Sequence, residues 1–301
     1  MSMGRDTGGE SGVTPYDFGG KWQPSPHEQA RRQARKHKNR RNALIAALSS
    51  LLVIGSLLII LFTSPGWKSL SETFFAWAYG VEVLPKILLG FGTNVVLTVI
   101  AGTSVAILGL TIALIRTSRS PALTPFRILA TFYVDLFRGI PMLLVILLVG
   151  FGIPALRLKG ITNNVLILGT LAVVITYTAY VAEVIRSGIL TIHPSQRAAA
   201  RSLGLTHFQT LRHVILPQAL RRVTPPLLND LVALIKDTGL VSILGVTDAV
   251  RAAQIASSRT FNYTPYVIAA IVFLSVTIPL TRFTDRTLRK SIERQNAQGN
   301  A

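Results

Sequence analysis

The chain of 301 residues contains no cysteine and only 13 acidic residues against 31 lysines and arginines. Without cysteine there is no disulfide framework and no thiol nucleophile. The five histidines show no paired ligand spacing, so no metal site is expected and no catalytic residue is assigned. The phosphate-cradling pattern G-x-x-x-x-G-K-[ST] is missing too, so this polypeptide is not expected to hydrolyse ATP by itself. Charge is absent from whole stretches: residues 42–62 and 87–115 hold no Asp, Glu, Lys or Arg. About 20 apolar residues suffice to cross a hydrocarbon core of roughly 30 Å.

Half of the residues are hydrophobic, yet the formal net charge is +18. A soluble chain rarely combines the two, whereas a basic membrane protein does so by keeping its charge in the loops. The pattern predicts an all-α membrane protein with six transmembrane helices, at 42–62, 87–115, 129–156, 160–182, 226–246 and 264–281. Residues 1–41 read as an arm, disordered through Pro26 and then densely basic. That basic run fits a cytoplasmic anchor at anionic lipid, with nucleic-acid binding as the alternative. A signal peptide fits poorly, because the basic segment is long and no small-x-small cleavage site follows. Residues 63–86 carry Trp67, Phe74, Phe75, Trp77 and Tyr79 and read as an external interfacial segment. Gly102 and Ala106 form a small-xxx-small step for close helix approach. Lys and Arg concentrate in the arm, in 116–127, in 184–222 and after 282, while the other loops carry two each. The positive-inside rule then puts both termini in the cytoplasm, as an even number of spans requires.

The stretch from Glu183 to Pro225 is a polar, Arg-rich insert between apolar runs. Ser195 is placed to cap a helix through Leu203, and Gly204 supplies a left-handed turn. Thr206 and Gln209 form a capping box for the next helix, and Pro217 marks a kink or break. A helix–Gly–helix with scattered arginines also matches a DNA-binding helix-turn-helix. The flanking spans favour a membrane connector instead. Ala199-Ala200, Gly204 and Ile215-Leu216-Pro217 resemble the EAA loop of ABC importer permease subunits. Tyr180-Val181-Ala182-Glu183, Leu234 through Thr238, and Phe137-Arg138-Gly139-Ile140-Pro141 extend the resemblance to the polar amino-acid uptake branch. It covers roughly Leu84 to Arg289. Ala198 departs from it, standing where that family usually has the glutamate.

The resemblance implies an extra N-terminal helix preceding a five-helix permease core (87–289), and a tail at 290–301. It also implies a cytoplasmic coupling helix pair in 184–225 that docks on an ATPase. Ala198, Ala199 and Ala200 would allow close approach, Leu203, Leu205 and Phe208 would form an apolar ridge, and Gly204 would set the angle, followed by Leu216 and Pro217. With no glutamate at Ala198, Arg197 and Arg201 imply a correspondingly acidic groove on the ATPase. The implied partners are ABC ATPase subunits that bind ATP and Mg, a second permease subunit, identical or related, an extracytoplasmic amino-acid-binding protein, and membrane lipid. No nucleic acid is expected, and no cofactor in this chain. Ionisable residues inside spans normally face protein or a water-filled path. Arg138 suits a substrate carboxylate, and Glu183 or Asp237 suits an ammonium group. Lys236, Asn94, Thr98, Thr176 and Tyr177 are further candidates for the path. The alternative is that Lys236 and Asp237 make local contacts while Glu183 and Arg138 sit at the interface. Glutamate, glutamine and arginine are the solute classes implied. A membrane-anchored regulator and a stand-alone carrier remain the competing classes.

Overall fold

A computed structural model describes residues 25–299, and every regular element among them is helical. Of the segment expected to be disordered, residues 1–26, residues 1–24 lie outside the described residues. The chain divides into two units, residues 1–68 and 69–301.

The first unit holds α1 (Pro26–Thr63). Ser25 starts it by accepting the Glu28 amide, and Pro26 occupies the first turn, where a missing N–H costs nothing. The basic run therefore does not form an arm separate from the apolar one. Its Ala, Arg, Gln and Lys residues are good helix formers and continue the same helix. Its residues 42–62 carry no charge on any side of the helix.

The next helix, α2 (Trp67–Phe74), leads toward α3 (Trp77–Thr117). Residues 77–86, expected in the interfacial segment, are the first turns of α3, and Pro85 is accommodated within it. The predicted single span 129–156 is broken. It consists of α4 (Thr124–Gly139) and α5 (Met142–Leu147), a π-helical turn, and the short α6 (Ile153–Ala155). The two halves bend by 107° at residues 140–141. Pro141 lacks an N–H and disfavours helical backbone in the residue before it, and Ile140 is accordingly extended at φ −94°, ψ 132°.

Helix α7 (Val165–Leu190) runs eight residues beyond the expected end at Ala182. Short helices α8 (Pro194–Ser202) and α9 (His207–Gln209) follow, and then α10 (Leu216–Asp237). The chain closes with α11 (Ala249–Thr260) and α12 (Thr264–Gly299). Among the described residues, four helices are long and apolar enough to cross a membrane, or five if the bent pair counts as one span. Helix α10 is not in that set, because Arg221, Arg222, Asp230, Lys236 and Asp237 interrupt its apolar residues.

The main core joins α3, α7 and α10 through Leu97, Ala101 and Val105, Val173 and Val181, and Ala219 and Val223. Helices α3 and α7 pack closely at Gly109, where an added Cβ would stand 2.7 Å from Val181 Cγ1. Gly102, expected to serve close packing, meets nothing nearer than 3.6 Å. A second cluster sets Val83, Ile87 and Phe91 of α3 against α11 and α12.

Candidate functional site

The connection from α7 to α10 is built by local rules. His193, not Ser195, caps α8: its Nδ1 accepts the Ser195 amide at 3.2 Å and is 2.7 Å from the Ser195 hydroxyl. A position just before Pro194 suits a cap because proline then fills the first turn. At the far end, Gly204 has φ +78°, and the Leu205 amide reaches back to the Ala200 carbonyl at 3.1 Å. Thr206 and Gln209 make both bonds of the capping box. Beyond them the helix does not break at Pro217. A π turn at Thr210–Ile215 runs directly into α10, whose second residue is Pro217.

Two anchors hold this elbow to the helices that flank it. Arg197 donates to the Ile189 carbonyl at 3.1 Å, and Arg222 donates to the Thr191 carbonyl at 2.9 Å. Ala200 is buried, while Ala198 and Ala199 are exposed. Leu203 and Phe208 are 82% and 66% exposed, an apolar pair projecting from the bend. Leu205 and Leu216 are half-buried, and Pro217 is exposed.

Just before the elbow, Glu183 is engaged by two arginines. Arg116, in the last turn of α3, donates to it at 2.6 Å, and Arg186 holds both of its carboxylate oxygens at 3.0 and 2.7 Å. The Arg116 and Glu183 side chains are 7% and 19% exposed. Such a buried arrangement locks α3 to α7, and breaking it would strand a charge. It occupies the carboxylate that sequence reasoning offered to a substrate ammonium.

The remaining path candidates are dispersed. Asn94 is fully buried; its amide donates to Thr238 Oγ1 at 3.2 Å and Asp248 Oδ2 at 3.0 Å, and its oxygen accepts the Ala249 amide at 3.1 Å. Thr98 and Thr176 return their hydroxyls to Asn94 O and Ala172 O within their own helices. Arg138 and Lys236 are exposed, and Asp237 accepts the Tyr177 hydroxyl at 2.7 Å. Tyr177 and Thr98 line a largely apolar cavity of about 880 Å³ between α3, α7 and α10. Asp230 lines it as well, and among the described residues its Oδ2 has no hydrogen-bond partner. Sequence reasoning gave Asp230 and Asp248 no role. Thr247-Asp248 ahead of a helical run is an N-cap signal that would have found the second, and Asp248 does accept the Arg251 amide at 2.8 Å. Nothing in sequence spacing singles out Asp230 from the other charges of α10.

An elbow with exposed Leu203 and Phe208, carried on a bundle of membrane-length helices, marks a multi-pass membrane protein. Residues 122–291 match the family model of binding-protein-dependent transport system inner membrane components. The chain is 32% identical over 216 residues to the arginine transport system permease protein ArtQ of Bacillus subtilis, covering 71% of this chain and 94% of that protein. It is 36% identical over 217 residues to a Rickettsia prowazekii protein named as a glutamine transport system permease, GlnP, covering 71% and 97%. Among solved structures, an amino acid ABC transporter crystallised with histidines matches with a TM-score of 0.63 at 34% identity, over 70% of this chain and 96% of that one. The methionine ABC transporter MetNI, at 20% identity and TM-score 0.57, shares the fold. The chain belongs to this family, the membrane-spanning permease components of ABC transporters.

Proposed function

We propose that this chain is the permease subunit of an ATP-driven importer for polar amino acids, with glutamine, glutamate or arginine as the solute class. The relatives named for arginine and glutamine transport support that class. In this reading α10 is the fifth of six spans and α12 the sixth, both termini are cytoplasmic, and the protein resides in a bacterial inner membrane. Two such permeases, identical or related, sit on two ATPase subunits that bind ATP and Mg, and an extracytoplasmic binding protein delivers the solute.

One observation carries the reading: Leu203 and Phe208 project from the elbow at Gly204, 82% and 66% exposed. Apolar side chains presented this way on a cationic connection need a partner surface. Docked in an ATPase groove, they convert closure of the ATPase dimer into movement of α7 and α10, to which the elbow is tied by Arg197 and Arg222. Ala198, Ala199 and Ala200 keep the approach close. The solute path runs beside Asp230 and Asp237, with Arg138, Lys236, Asn94 and Thr176 bordering or bracing it, and Glu183 serving the helix lock. Co-purification of the tagged full chain from its native membrane tests the proposal. An ATPase subunit is expected with the wild type and not with Gly204→Val, whose side chain disfavours positive φ. Recovery of the intact permease without any ATPase would overturn it.

A further inference from the structure

Residues 184–229 contain six arginines and no carboxylate. Part of that charge faces a cleft of about 630 Å³ between the α3–α4 turn and the elbow, a volume suited to a small ligand. Arg119, Arg197, Arg201 and His207 line it, together with Ser118 and Thr210, and no acidic residue does. Among the described residues none of these arginines pairs with a carboxylate. Arg197 and Arg201 donate to backbone carbonyls, which leaves their charge uncompensated. Thr210 is 4% exposed, and among the described residues its hydroxyl has no hydrogen-bond partner. A buried hydroxyl without a partner is costly unless something supplies one.

We infer that this cleft binds a phosphate-class anion. Guanidinium groups match phosphate oxygens in pairs, and three of them with a histidine suit a multiply charged ion better than a single carboxylate. The geometry of α8 separates the site from the ATPase-facing ridge. At 100° per residue, Pro194, Arg197 and Arg201 fall on one side of the helix, and Ala199 and Leu203 on the other. Leu203 is not part of the cleft lining. The anion therefore lies behind the docking surface and pins the elbow to the α3–α4 turn. Two sources supply this chemistry: dissolved phosphate and the headgroup of an anionic lipid.

The test uses the full-length permease, without the ATPase, in phosphatidylcholine nanodiscs. Inorganic phosphate is titrated at constant ionic strength against chloride, and the thermal unfolding midpoint is followed. Saturable stabilisation by phosphate is expected, with apparent affinity weakened about tenfold or more in R197Q/R201Q. T210V, which removes one hydroxyl at nearly constant volume, is expected to weaken it less, and R212Q, an exposed arginine outside the cleft, not at all. Should R197Q/R201Q fail to fold, T210V decides alone. Stabilisation seen only in phosphatidylglycerol nanodiscs, and lost in the same variants, assigns the site to a lipid headgroup. No saturable effect of either probe, or one undiminished in R197Q/R201Q and T210V, overturns the inference. Loss of ATPase co-purification as the sole defect of R197Q/R201Q would likewise overturn it, giving those charges to the ATPase.

Discussion

Asn94 stands where three segments meet, with its amide shared between α3, the turn after α10 and the start of α11. Replacing it by leucine leaves the fully buried Asp248 carboxylate short of a donor and the Ala249 amide short of an acceptor. The expected loss is on the order of 3 kcal/mol, read as a lower thermal unfolding midpoint in detergent. Glu183 and Asp230 should separate cleanly. Glu183→Gln strands the Arg116 charge, 7% exposed, and is expected to cost about 3 kcal/mol while leaving the KM for solute uptake near the wild-type value. Asp230→Asn removes a poorly partnered carboxylate; it should not lower the unfolding midpoint, and it should raise the KM severalfold in proteoliposome uptake. A reversed pattern would return Glu183 to the solute path. Sequence alone offered Glu183 or Asp237 to a substrate ammonium, with the membrane interface as the alternative place for Glu183, which lies near a predicted span end. Its two arginine partners come from 67 residues upstream and 3 residues downstream, and only the fold reveals the first.

At the scale of elements, local signals were readable and long-range ones were not. Gly204, Thr206 and Gln209 act through bonds a few residues long, and their turn and capping box stand as the sequence implies. The His193 cap was missed because imidazole is an uncommon cap acceptor beside an available serine. The bend after Gly139 was missed because apolar content counts residues and ignores direction, although Ile140-Pro141 contained the physical cause. Close helix contacts followed the same division. Gly102 matched the small-residue pattern, but the tight approaches fall at other glycines, Gly90, Gly109, Gly150, Gly169 and Gly188. At Gly90 an added Cβ would lie 2.5 Å from the Asp248 carbonyl, which is backbone and cannot swing aside. Gly90→Ala should therefore push the start of α11 away from α3. The expected readout is a fall in unfolding midpoint larger than that of Gly92→Ala, whose Cβ would meet nothing within 4 Å.

For the molecule as a whole, the lack of cysteine makes sidedness directly measurable. Single cysteines at Ser120 and Phe261, both exposed, should react with a membrane-impermeant maleimide from opposite sides. Phe261→Cys is expected to label in intact cells and Ser120→Cys only after permeabilisation. Labelling of both from outside would refute the proposed topology. The uncharged stretch 42–62 of α1 has a consequence of another kind. A helix face that packs against a fixed neighbour stores information in the order of its residues, because each must match a particular hole. A face that meets only a fluid of like polarity stores none beyond length and composition. We propose that the stretch 42–62 is of the second kind, a spacer rather than a message, and that a version with its Leu, Ile, Val and Ala residues shuffled transports as the original does.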